Sequence, residues 1–303
     1  MSDDMRRRTL LTAGLTLGAV PIVSGVFTRT AHAAEAPLIG PARGDDIHVM
    51  TYNIRYDRPD PSPDSWPERL PLIAEQLRRE RPTILGTQEG LYHQARQIRD
   101  ELPPFYDFIH LFRNGGSQGE GMVIYFDTNR LQPVAYDHLW LSDTPRLIGS
   151  ATWGNTVIRM LTWVRFHDLK TGREFVHLNT HFDHQSENSR QRSAEMVRDV
   201  VAEFDVPVIV TGDFNSTAGV SASYQILTEG GLVDTWEGAS ERLTPEYNTF
   251  NSWNTTPVEG GDRIDWILVT PQVSVSKIGI NTWSRDGHTP SDHWPVQALV
   301  RLR

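Results

Sequence analysis

Short apolar runs ended by polar or turn-forming residues recur from Ile47 to the C-terminus, and their spacing predicts nine strands. These are Ile47–Tyr52, Thr83–Gln88, Met122–Phe126, Thr156–Phe166, Glu174–Thr180, Val206–Thr211, Ile264–Val269, Val273–Ile280 and Val296–Leu302. Helical spacing is rarer. Leu70, Ile73 and Leu77 share a face before Pro82 stops the segment, and Ser65-Trp66-Pro67-Glu68 has the form of a capping box ahead of it. Pro71 predicts that the first turn lies later than this box. Leu91, Ala95, Ile98 and Leu102 form a second stripe; Met196, Val197, Val200, Val201 and Phe204 form a third. Strands and helices that do not alternate strictly fit a layered α/β sandwich with helices outside better than a doubly wound parallel sheet.

Composition divides the chain into three parts. Residues 1–33 carry Arg6-Arg7-Arg8, Leu10-Leu11, a weakly apolar stretch and Ala31-His32-Ala33, the order of an export signal with the paired arginines of the twin-arginine type. The competing reading is a membrane anchor, but Gly14, Gly18, Pro21 and Gly25 interrupt the run before it reaches the ~20 apolar residues of a spanning helix. Residues 34–46, rich in Pro, Gly and Ala, read as a linker, and 47–303 as one domain of a secreted or periplasmic, monomeric protein.

Without the signal the chain keeps 25 basic against 36 acidic side chains, a formal charge of −11. That balance disfavours nonspecific adhesion to nucleic acid, whose affinity comes largely from Lys and Arg displacing counterions. The absence of cysteine excludes thiolate catalysis, a cysteine zinc site and disulfides.

The main functional signal is where the polar residues fall. Six apolar strands end in carboxylates, carboxamides or imidazoles, positions where rigid backbone supports a site. The segments are Met50-Thr51-Tyr52-Asn53, Leu85-Gly86-Thr87-Gln88-Glu89, His177 to His184, Val210-Thr211-Gly212-Asp213-Phe214-Asn215, Arg263-Ile264-Asp265-Trp266-Ile267 and Ser291-Asp292-His293-Trp294-Pro295-Val296. In order and spacing they resemble the endonuclease/exonuclease/phosphatase superfamily, across nearly the whole chain after the signal. Asn53-Ile54-Arg55-Tyr56-Asp57, Arg159 with Thr162-Trp163, and Asn179 to His184 resemble a bacterial exported branch of it.

The resemblance implies the DNase I-like four-layer α/β sandwich, two packed mixed sheets flanked by helices, and metal-assisted attack of water on a phosphoester. It implies Mg²⁺ or Mn²⁺ held by Glu89 and Asp292 with Asn53 beside them, as suits a hard cation that keeps several waters. Asp213 and Asn215 orient or deprotonate the water; two apart on an extended chain, they point to one side. Asp265 and His293 pair, the carboxylate fixing the ring, and His181 donates to the phosphate. Whether His293 or Asp213 takes the proton stays open. Arg159 and His184 are substrate-binding candidates, with Asp183 and His184 alternatively buttressing their loop.

Each feature alone has a plainer reading: Glu89 as a solvated strand-end charge, Gly-Asp-x-Asn as a turn, Ser-Asp-His as a cap or loop, Arg159 as an ion-pair residue. Two other functions compete, a zinc hydrolase built on His181, Asp183 and His184 and a catalytically dead binding module. The substrate expected is a small-molecule or lipid phosphoester. The loops Tyr56–Pro67, Arg113–Glu120, Leu141–Gly154 and Glu237–Gly261 are expected to shape the pocket, and Trp66, Trp153 and Trp294 to serve packing before ligand contact.

Overall fold

The computed structural model describes residues 36–303, so the export-signal expectation lies outside the described residues. None of the described helices is long and apolar enough to cross a membrane.

The order of elements is β1 (Ile47–Asn53), α1 (Trp66–Glu80), β2 (Ile84–Gln88), α2 (Tyr92–Glu101), β3 (Tyr106–Ile109), β4 (Val123–Asp127), β5 (Leu131–Trp140), β6 (Met160–Asp168), β7 (Glu174–His181), α3 (Glu187–Ala202), β8 (Val208–Asp213), α4 (Ala222–Glu229), β9 (Val233–Asp234), α5 (Thr235–Gly238), β10 (Ala239–Arg242), β11 (Asp265–Val269), β12 (Val273–Ile280) and β13 (Val296–Leu302). One mixed sheet runs β10-β12-β13-β1-β2-β4-β3, the other β5-β6-β7-β8-β11-β9. The expected two-sheet sandwich is therefore present.

Its layers follow from strand alternation. Ile47 and Val49 of β1, Ile84 of β2, Phe175 of β7, Ile209 of β8 and Ile267 of β11 meet in one core between the sheets. The alternate residues face outward. Met50, Tyr52 and Leu85 pack with Ile73, Leu77, Ala95 and Ile98 of α1 and α2. Val176, Leu178, Val208, Val210 and Leu268 pack with Ala194 and Val197 of α3 and Leu227 of α4.

Continuing each inward-facing series along its strand changes the chemistry. After Ile47 and Val49 come Thr51 and Asn53; after Ile84, Gly86 and Gln88; after Phe175, His177, Asn179 and His181; after Ile209, Thr211 and Asp213. The space between the sheets thus grades from apolar at one end to polar at the other. Gln88 donates to Asn179 Oδ1 (2.7 Å) and Thr51 Oγ1 (3.1 Å), Thr211 Oγ1 donates to the same Asn179 oxygen (3.1 Å), and Asn179 Nδ2 donates to the Thr87 carbonyl (2.8 Å). These hydrogen bonds offset much of the cost of burying the groups, with Gln88 Oε1 left without a protein partner among the described residues.

Four strands escaped the sequence pattern. β5 is an edge strand with a largely exposed middle, a proline and a bulge at Pro133/Ala135, and β3, β9 and β10 are short. The strand expected from Thr156 begins at Met160, because Asn155 folds its amide back onto the Val157 carbonyl (2.7 Å). α1 starts at Trp66, directly after Ser65, and runs through Pro71, contrary to the later start expected. The residues expected as linker hold no helix or strand from 36 to 46, and the N–H groups of Leu38, Ile39 and Gly40 all donate to the buried Glu80 carboxylate.

At Gly86 the two sheets approach tightly: a Cβ there would collide with Thr211 Oγ1 and lie 2.7 Å from Asn179 Oδ1. Both atoms are held in the polar layer and have nowhere to retreat. Gly86→Ala is expected to cost about 1–3 kcal/mol, as overpacking does; the midpoint of urea unfolding measures it, and an unchanged midpoint would show that the layer yields.

Candidate active site

Where the polar layer ends the sandwich opens into a hollow of about 450 Å³, lined by Glu89, His181, Asp213, Asn215, Asp292 and His293 together with Arg55, Arg113, Glu120 and Arg159. Buried Arg69 of α1 secures its rim by donating to the carbonyls of Ile54 (2.8 Å), Arg55 (3.0 Å) and Pro290 (3.3 Å), tying the end of β1 to the segment that carries Asp292 and His293.

Asn53 bridges the sheets: its Nδ2 donates to Glu89 Oε1 (3.0 Å) and Asp213 Oδ2 (2.9 Å). Glu89 sits just past β2 at φ +66°, a left-handed conformation unusual outside glycine. Its Oε2 accepts from the Tyr56 N–H (3.2 Å). The Arg55 guanidinium lies between Glu89 Oε2 (3.8 Å) and Asp292 Oδ2 (3.6 Å).

Asp213 and Asn215 reach the same hollow by a different route from the extended chain expected. Asn215 is left-handed (φ +47°), and its N–H donates to Asp213 Oδ1 (2.9 Å), closing a turn. Its Nδ2 then lies 3.0 Å from His181 Nε2. The turn reading and the site reading hold together.

Asp265 and His293 pair as expected, with Asp265 Oδ2 2.9 Å from His293 Nδ1. Burial opposes charge on this ring, but Asp265, Asp213 and Asp292 outweigh it and raise the pKa to about 10. These neighbours favour the imidazolium form at neutral pH in the metal-free protein. Burial and Asp265 push Asp213 up to about 7, while burial and Glu89 raise Asp292. Glu89 itself is held below its ordinary value: burial works against this, but the Asn53 bond, His293 and Arg55 prevail. Burial and Arg159 keep the His181 ring neutral, well below its usual pKa.

Burial is the chief cause of the raised carboxylates, and Glu89, Asp213 and Asp292 bring their oxygens into one hollow. With hard oxygen donors from Glu89 and Asp292, such a site fits a divalent cation. Glu89, His181 and Asp213 offer ligand atoms within 4.8 Å of one another, as do Asp213, Asp265 and His293. In the second group Asp265 and His293 are already paired with each other through Nδ1 of the ring.

His181, Asp183 and His184, the basis of the zinc reading, surround a guanidinium. Arg159 Nη1 lies 2.9 Å from His181 Nδ1, Nη2 3.0 Å from His184 Nδ1 and Nε 3.7 Å from Asp183 Oδ2. Asp183 Oδ1 accepts from the N–H groups of Gln185 (2.9 Å) and Ser186 (2.7 Å), the buttressing role. Trp66, Trp153 and Trp294 are buried and do not line the hollow.

Residues 50–293 match the model of the endonuclease/exonuclease/phosphatase family. The chain belongs to that family. Among solved structures, an endonuclease/exonuclease/phosphatase family protein from Bacteroides thetaiotaomicron is 32% identical, with a TM-score of 0.80 over 84% of this chain and 98% of its own. A mannosyl-6-phosphatase from the same organism is also 32% identical, with a TM-score of 0.78 over 84% and 99%. The catalytic domain of human Nocturnin, solved with a bound sulfate, shares the fold at 18% identity and a TM-score of 0.64 over 86% and 94%. No curated protein matches.

Within this family site, sequence reasoning left Arg55, Tyr56, Arg58, Arg113, Glu120 and Phe250 without roles, although all line the hollow. Arg55 and Tyr56 lie inside the Asn53–Asp57 motif, and Arg113 and Glu120 bound one of the loops expected to shape the pocket. Glu120, buried and paired with Arg113 (2.8 Å), is raised to about 7 chiefly by burial. Of the four loops, Leu141–Gly154 contributes no lining residue; Val157 and Arg159 just beyond it do.

The ionisation pattern is directly measurable. In the metal-free protein the His293 ring should stay protonated through pH 8 by NMR titration, losing its proton only towards about 10. Asp265→Asn removes the largest attraction holding that proton, so the midpoint should fall; a midpoint unmoved by the substitution would contradict the dyad.

Proposed function

We propose that the chain is an exported, Mg²⁺- or Mn²⁺-dependent hydrolase of small phosphomonoesters with hydroxylated, sugar-like leaving groups. The observation that carries this reading is a single hollow in which the guanidinium groups of Arg55, Arg58 and Arg113 and the His293 imidazolium face a cluster of carboxylates. A dianionic monoester needs that concentration of positive charge, and a polymer needs an extended basic strip, which a chain of net charge −9 is poorly composed to supply. Likeness to a mannosyl-6-phosphatase over nearly the full length of both domains supports the same class. The Arg6-Arg7-Arg8 signal pattern supports export.

The proton inventory assigns the roles. With a pKa near 7, Asp213 is the group poised to take a proton from the attacking water at neutral pH. His293 already holds its proton and donates to a phosphoryl oxygen, with Asp265 fixing the ring. Asn215 and His181 border the same space and orient water and phosphate. Glu89 and Asp292 would hold the cation, which neutralises charge on the phosphoryl oxygens when bound.

EDTA should abolish turnover and Mg²⁺ or Mn²⁺ restore it. Across mannose 6-phosphate, p-nitrophenyl phosphate, bis-p-nitrophenyl phosphate, sphingomyelin and DNA, the highest kcat/KM is expected on a monoester. Faster cleavage of the diester substrates, or activity surviving chelation, would overturn the proposal. His293→Ala should lower kcat by about 10²–10⁴-fold, with circular dichroism confirming an intact fold; wild-type turnover would remove the ring from the mechanism.

A further inference from the structure

Arg159 stands at the start of β6, almost fully buried at 4% exposure, with its two terminal nitrogens on two imidazoles. A guanidinium is a donor only and does not lose its proton in a protein. The nitrogens it faces, Nδ1 of His181 and Nδ1 of His184, must therefore accept. A neutral imidazole has one lone pair and one N–H, so each ring carries its hydrogen on Nε2.

A second donor competes at His181, because Asn215 Nδ2 lies 3.0 Å from Nε2. One ring cannot accept from both sides. Yielding to Asn215 would turn an Nδ1–H against a fixed, buried cation, whereas the carboxamide can spend a hydrogen on the Phe182 carbonyl, 3.1 Å away, or turn its oxygen towards the ring. The charged donor wins, and the Nε2–H of His181 is left facing Asp213 Oδ2 at 3.4 Å.

We propose that Arg159 is a positioning residue that locks His181 and His184 as Nε2–H tautomers, making His181 a neutral hydrogen-bond donor into the hollow and closing both rings to metal ligation. A ligating imidazole needs the opposite arrangement, a free lone pair on the metal-facing nitrogen and an N–H given to an acceptor behind it. Arg159 has no acceptor to offer. The cation is thereby confined to the carboxylates on the Glu89 side, although His181 lies within 4.8 Å of Glu89 and Asp213. The lock also divides labour between the two buried rings: the carboxylate behind His293 favours its cation, and burial together with the guanidinium behind it keeps His181 neutral. The sequence expectation placed Arg159 against substrate; Arg159 does line the hollow, but this assignment gives its terminal nitrogens to the two rings. Only the kinetic consequence rests on the proposed reaction.

The deciding measurement is a long-range ¹H–¹⁵N correlation spectrum of the imidazole rings in the metal-free wild-type protein, with the two rings assigned from His181→Gln and His184→Gln. The expected result at pH 7 is an unprotonated Nδ1 and a protonated Nε2 in both. A protonated Nδ1 on His181 would overturn the proposal, whatever the fate of any variant. Arg159→Lys, which offers one ammonium where the guanidinium bridges two rings, should release at least one ring from its single tautomer. It should also lower kcat by about 10-fold or more while KM stays within about threefold. A loss carried by KM alone, with both tautomers unchanged, would mean that Arg159 binds phosphate directly and would contradict the positioning role. Absence of turnover from the wild-type protein would count against the proposed reaction, while the ring spectra still decide the tautomers.

Discussion

Carboxylates gathered and largely buried around one hollow are the constraint on which this structure turns. Asp213, Asp265 and Asp292 are buried around one hollow with Glu89 at its edge, and the cations that touch them directly are the His293 ring and Arg55. Burial of unpaired charge is costly enough that proteins normally avoid it or shift the group's pKa. Here two carboxylates rise and an imidazole becomes strongly basic, a state that a bound cation and a phosphate would relieve together.

The fold supplies the cluster by continuing a core pattern past the point where it is apolar. The same alternation that sends Ile47, Ile84, Phe175 and Ile209 into the core between the sheets sends Asn53, Gln88, His181 and Asp213 to its polar end. Asn53 then joins the sheets where two carboxylates would otherwise repel. Left-handed residues at Arg55, Glu89 and Asn215 are local strain tolerated to aim side chains into the hollow.

This explains what the amino-acid sequence made legible. Strand-end residues in six separated segments were readable because each follows a strongly apolar run, and the structure brings together Asn53, Glu89, His181, Asp213, Asn215, Asp265, Asp292 and His293. The supporting cations were less readable. Arg55 and Arg113 look like surface arginines in a linear pattern, Arg159 was expected against substrate, and only the folded arrangement shows what each faces. β5 was missed for a related reason: an edge strand with an exposed middle has no apolar alternation to reveal it. Asp213 and Asn215 converge through a turn, which alternation along an extended chain does not describe.

The two buried imidazoles show how one residue type takes two states a few ångströms apart. Burial pushes both rings towards neutrality; the carboxylate behind His293, with its acidic neighbours, overrides it, whereas the guanidinium behind His181 adds to it. The account as a whole stands on where a cation settles. Anomalous diffraction from crystals soaked in Mn²⁺ locates it: the account predicts a peak in coordination contact with Glu89 and Asp292, and a peak held by His181 and His184, or none in the hollow, would contradict it.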